Sequence, residues 1–248
     1  MQPNGYILYQ GPSALDGAPI VVIATGFRDA SSNVKTGGMI QTYILLSGVS
    51  PVAGVQSGAD ASICGDCPHR GYIDAATGKN AGRTCYVNVG QGPGAVFRAY
   101  RAGKYPAIPS FTLFSGRKVR LGTYGDPAAV PAYVWQGIAN RAAGWTGYTH
   151  QWRNSGALKA FCMASVDSPE EQREAVAEGW RTFRVALPGQ EERLAKEVLC
   201  PASALAGKRL QCETCMACSG GSRSGSVMIP AHGGFAVMAN IKRRAVAA

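Results

Sequence analysis

Three of the chain's eight cysteines fall in the stretch CETCMAC, at Cys212, Cys215 and Cys218. Two-residue spacings let neighbouring thiolates turn toward one ion, as zinc knuckles and cluster loops require. Cys200 precedes the stretch, and His232, in PAHGG, follows it. Four thiolates suffice for tetrahedral zinc or for an iron–sulfur cluster, and three thiolates with His232 also make a zinc site. A second group lies upstream: Cys64 and Cys67 in CGDCPHR, with His69 beside them, and Cys85 in RTCYVNVG. It reads as a second metal site, as part of a shared one, or as a redox pair or buried thiols. Cys162, alone in an apolar run, reads as core packing.

Two carboxylates add acid–base chemistry. Asp126 in TYGDP and Asp167 in ASVDS each end a strand-like run, on what should be one rim of the fold. A carboxylate so placed can act as nucleophile or as general acid or base, and both positions also suit helix N-capping. Asp126, with Tyr124 and two glycines around it, is the leading catalytic candidate and Asp167 the second. His150, Gln151 and Trp152, in GYTHQWR, offer an imidazole, an amide and a flat ring to a base held outside its helix; the alternative is an ordinary loop. Arg28 and Lys35, in the polar loop 27–38, are candidate phosphate contacts. The chain has no Walker loop, GxSxG, HExxH or CxxxCxxC.

The elements that must position these groups follow a clear rhythm in the second half. Strands are predicted at 118–124, 145–152, 161–166, 180–187 and 198–203, with helices at 128–144, 167–179 and 189–197. Strands alternating with helices at this spacing indicate βα units and a parallel sheet. Ser168, followed by Pro169, opens a helix by capping Glu171, and Asp126 followed by Pro127 is a similar start. The first half is less regular, with strands at 18–26 and 39–46, a short strand at 85–89 and a helix at 94–103. The expected fold is a single α/β domain over 1–248, TIM-barrel-like whether complete or incomplete, with cysteine-rich inserts at 60–90 and 200–232. The alternative is an open doubly wound sheet.

Composition narrows the setting. No window approaches 18 unbroken apolar residues, and the first ten residues lack a secretory pattern, so a cytoplasmic protein is expected. A reducing cytosol turns clustered cysteines toward metal rather than disulfides. The formal charge is +10, from 25 Lys and Arg against 15 Asp and Glu, which suits a polyanionic partner. The basic residues gather in GRKVR (116–120), GKR (207–209) and KRR (242–244).

The βα rhythm, the basic charge and the three-cysteine loop followed by a histidine resemble the tRNA-guanine transglycosylase superfamily, and within it the phage and bacterial enzymes that insert 7-deazaguanines into DNA. TGGMIQ (36–41) is similar to the family's SGGFQ stretch, with Lys35 where its aspartate is expected. The spacing here is CxxCxxC, where the family has CxCxxC. The CGDCPHR…CYVN segment is also similar to small phage proteins, which implies action in a host cytoplasm. The resemblance implies a TIM barrel, zinc on Cys212, Cys215, Cys218 and His232, and a transferase. Base exchange would put a 7-deazaguanine into DNA, more readily than into RNA, through an attacking aspartate, Asp126, with Asp167 as acid–base partner. Two further readings stay open: an iron–sulfur enzyme acting on nucleic acid, with Cys200, Cys212, Cys215 and Cys218 around one cluster and Cys64, Cys67 and Cys85 around another, and a non-catalytic, metal-stabilised nucleic-acid-binding protein.

Overall fold

In the computed structural model, which describes residues 2–207, 210–222 and 225–247 (backbone alone for 204, 222, 235 and 244–247), the chain opens with an antiparallel meander. It consists of β1 (Gly5–Pro12), β2 (Pro19–Thr25) and β3 (Ile40–Leu46). Five consecutive residues of β2, Ile20 to Ala24, are fully buried, so both faces of this strand are covered. The chain then leaves the sheet through α1 (Pro51–Ser57), α2 (Ala61–Cys64), the hairpin of β4 (Tyr72–Ile73) and β5 (Asn80–Ala81), and α3 (Gly92–Arg101). It returns as β6 (Lys118–Tyr124), parallel to β3.

From β3 onward every added strand is parallel. β7 (Gly144–Thr146) pairs with β6, and β8 (Tyr148–Thr149) pairs with β9 (Met163–Val166). β10 (Thr182–Ala186) follows, then β12 (Ser226–Pro230), with β11 (Glu197–Leu199) on its far side. α4 (Ala132–Ala139) and α5 (Pro169–Ala177) are crossovers, α6 (Cys212–Cys215) is a single turn, and α7 (Phe235–Ala247) follows β12. β7 and β8 are one extended segment divided by Gly147 alone, which carries the chain from the first five-stranded sheet to the second. A Cβ at Gly147 would stand 2.9 Å from the Cys162 sulfur, so the junction demands glycine. This is a mixed α/β protein with parallel sheets, and among the described residues no ladder joins β1 to β11 to close a barrel.

Several expected elements differ. The expected helix 128–144 splits into a tight turn at Pro127–Ala129 and α4, because Pro131 cannot lie inside a helix but can precede one. The expected strand at 85–89 forms no ladder; Arg83 donates to the carbonyls of Cys85 and Val87, at 2.8 and 2.9 Å. The expected helix at 189–197 is absent. The buried Arg184 guanidinium takes the Gln190 and Glu192 carbonyls and pairs with Glu197 at 2.8 Å, claiming acceptors a helix would use. No described helix is long and apolar enough to cross a membrane.

Candidate metal centre at the strand ends

β6, β8 and β9 end side by side, and the residues just past them form a rim. Gly125, at φ +83, turns the chain after β6 and delivers Asp126 inward. The Asp126 carboxylate accepts from Ala128 N at 2.9 Å, Thr149 Oγ1 at 2.6 Å and His150 N at 2.8 Å. It both caps the turn at Pro127–Ala129 and clamps the ends of β6 and β8 together. Burial pushes its pKa up to about 6, against the pull of these three hydrogen bonds.

Asp167 is placed differently. Ser168 caps α5, its Oγ accepting from Glu171 N at 3.1 Å, while the Glu171 carboxylate accepts from Asp167 N at 2.8 Å. The Asp167 carboxylate is thereby left to face two imidazoles. His69 Nε2 lies 2.7 Å from Asp167 Oδ1 and His150 Nε2 lies 3.8 Å from Oδ2, with the two rings 5.4 Å apart edge to face. One ligand atom from each of the three lies within 4.8 Å of the others, the one such group of His, Cys, Asp and Glu among the described residues. His69 is held in a tight turn, Pro68–Arg70, whose position is fixed by Arg70 bonding to Gly58 O and Asp60. Its Nδ1 meets the buried Thr84 hydroxyl at 2.7 Å. That contact sets the ring orientation and leaves Nε2 for a ligand, the outer-sphere arrangement that metal-binding histidines use. Two imidazoles and a carboxylate suit zinc or ferrous iron.

The upstream thiols line the same end. Cys64 ends α2, Cys67 precedes the His69 turn, and the His69 carbonyl accepts from Cys85 N at 2.8 Å. Burial, with the neighbouring charges, raises the Cys64 and Cys67 thiols, so neither is a free thiolate nucleophile at neutral pH. Tyr124, also raised by burial, lies within electrostatic reach of Cys64 and Cys85.

The downstream thiols occupy a separate basin. All eight cysteines are free, and Cys200 and Cys218 share a small apolar cluster with Met163, Val227 and Ile229. Burial raises Cys200, Cys212 and Cys218, and charge on Cys200, Cys212 or Cys215 acts on others of the four. His232 is turned to a different partner: its Nε2 is 3.1 Å from Lys35 Nζ, its ring stacks on Tyr86, and with Lys35 it walls a cleft of about 390 Å³. Cys212, Cys215, Cys218 and His232 do not converge as a single-ion set.

The other candidates scatter. Trp152 and Gln151 are buried, with Gln151 Nε2 donating to Cys64 O, so neither offers a face to an extruded base. Arg28 pairs with Asp29 on the surface. Within GRKVR, Arg117 bonds to Gly26 O, Lys118 to Glu213 O, and Arg120 lies over the Tyr148 ring, so this patch works internally. Lys208, Arg209 and the Arg244 side chain lie outside the described residues. Sequence reasoning grouped His69 with its adjacent thiols; its partner Asp167 lies 98 positions away, and Thr84 carried no local signal. No protein-family model, curated protein or solved structure matches this chain.

Proposed function

We propose that the chain is a metal-dependent enzyme that modifies nucleic-acid bases, with its reaction centre at His69, His150 and Asp167. The observation that carries this reading is the convergence of these three groups, from three separate segments, at the carboxyl ends of parallel strands. Open α/β sheets and barrels concentrate chemistry at that edge. A bound divalent ion would supply Lewis acidity or a lowered-pKa water. Thr84 orients His69, Asp126 holds the His150 backbone, and Glu171 holds the Asp167 backbone. The net charge of +10, with Arg98, Arg101 and Lys104 exposed at the end of α3, favours a polyanionic substrate.

Base exchange through Asp126 fits less well, because its carboxylate already serves three donors. Base exchange without metal has Asp167 as its carboxylate, paired with His69 at 2.7 Å. One experiment separates these readings. Metal-loaded and chelator-stripped protein are incubated with DNA or RNA, with and without a 7-deazaguanine, and the released nucleosides are analysed by mass spectrometry. The proposal expects a modified nucleoside that needs metal and disappears in His150→Ala. Product from fully stripped protein would assign the rim to metal-free exchange, and product from His150→Ala would remove the rim from the chemistry.

A further inference from the structure

The thiol basin behind the rim is built with more care than a loose loop requires. The turn holding Cys212, Cys215 and Cys218 is fixed from several unrelated segments. Cys212 N donates to Lys35 O at 2.8 Å, and Lys118 Nζ donates to Glu213 O at 2.7 Å. The Glu213 carboxylate accepts from Gly38 N at 2.7 Å. Arg181 donates to Ala217 O at 2.8 Å and Gly220 O at 2.6 Å, and Gly147 N donates to Cys218 O at 3.1 Å. Cys200 is brought in from the end of β11, its N–H donating to Met228 O at 2.7 Å. A segment tied to the 35–38 loop, to β6, to the β7–β8 junction and to the residue before β10 presents its side chains in a fixed constellation.

Burial raises the Cys200, Cys212 and Cys218 thiols, so their deprotonation awaits an occupant that takes the sulfur atoms as ligands, and nearby cations offset part of that cost. Tyr148 packs against the apolar cluster that holds Cys200 and Cys218, where its hydroxyl stands beside sulfur, a neighbour of the kind that tunes sulfur ligands. Arg120 lies within electrostatic reach of Cys212 and Cys218, and Lys35 within reach of Cys200 and Cys212. Two fixed cations match the net double negative charge of four thiolates around a doubly charged core. Spacing then discriminates between occupants. Zinc–sulfur bonds of about 2.3 Å in a tetrahedron set sulfur atoms about 3.8 Å apart. Among the described residues no three of these sulfur atoms lie within 4.8 Å of one another. A single zinc ion would need these sulfur atoms drawn together, whereas a four-iron cluster, with a sulfur ligand at each of four separated corners, does not require them so close.

We infer that Cys200, Cys212, Cys215 and Cys218 hold a four-iron–four-sulfur cluster, in a site distinct from the rim centre. The four thiols lose their protons on binding, and each thiolate takes one iron.

The test is anaerobic reconstitution of the full chain with ferrous and ferric iron in equal amounts and sulfide, which together balance to the doubly charged core without a further oxidant, followed by assay of iron and acid-labile sulfide. The expected result is about four sulfides per chain, lost in both Cys212→Ser and Cys215→Ser. Cys162→Ala, His150→Ala and Cys67→Ala should keep them, which separates this site from the rim and from the upstream thiols. Circular dichroism of each variant restricts the comparison to folded protein. Uptake of a single zinc with no sulfide would overturn the inference. So would an absence of sulfide in the reconstituted wild type, or sulfide lost in Cys67→Ala and kept in Cys215→Ser.

Discussion

The rim centre and the thiol basin are assembled in opposite ways. At the rim, three ligand-type side chains come from loops after α2, β8 and β9, and their backbones are held by other side chains: Arg70 for the His69 turn, Asp126 for His150, Glu171 for Asp167. In the basin, three of four thiols come from one seven-residue stretch whose own carbonyls are gripped by Lys118 and Arg181. A dispersed site depends on the sheet being right, whereas a local one depends on its anchors. The rim should therefore lose function when strand-end geometry shifts, and the basin when a cation is removed.

Arg181→Ala should have the largest effect on stability. Its guanidinium donates to Gly225, Gly220 and Ala217 carbonyls, and hydrogen bonds from charged groups are each worth about 1.5–3 kcal/mol. We expect about 3 kcal/mol lost in chemical denaturation and impaired cluster uptake, with rim metal content unchanged in the folded fraction. A drop in rim metal alone would reverse the comparison.

Asp126→Asn comes next. A simple cap tolerates asparagine, at a few tenths to about 1 kcal/mol. A carboxylate serving three donors does not, because the new NH2 must face a donor, His150 N or Thr149 and Ala128, inside the protein. The expected cost is about 1–3 kcal/mol, with weaker metal binding at the rim and intact sulfide content. Stability within a few tenths of wild type would make Asp126 an ordinary cap.

Ser168→Ala should do least. It removes the cap of α5, worth about 1 kcal/mol, and leaves Glu171 to hold the Asp167 backbone. Thermal denaturation should show a modest drop in Tm with both sites filled.

What the sequence disclosed follows the same division. KVRLGTY (118–124) is a strand over its whole length, because alternating residues and a following Gly-Asp-Pro turn act locally. The Ser168 cap and the dense cysteine stretch were legible for the same reason. The helix expected at 189–197 was not excluded by anything local; Arg184 buried against Glu197 decides it, a contact set by packing of the sheet. Likewise Asp126 and Asp167 look interchangeable in sequence. The serine after Asp167 takes over capping, so that carboxylate meets the histidines and does not cap its helix, while the proline after Asp126 leaves the aspartate itself as cap. Which carboxylate meets histidines depends on where residues 68–70 return to the sheet, and no local pattern encodes that.

The proposed reaction centre requires that His69, His150 and Asp167 together bind a metal ion at the strand ends. The most direct measurement is equilibrium dialysis of wild type and of a His69→Ala/Asp167→Ala double variant against zinc or ferrous ion, with metal per folded chain read by elemental analysis. The prediction is one ion fewer per chain in the double variant, any metal taken up elsewhere in the chain being the same in both. Equal metal content in the two folded proteins would contradict it.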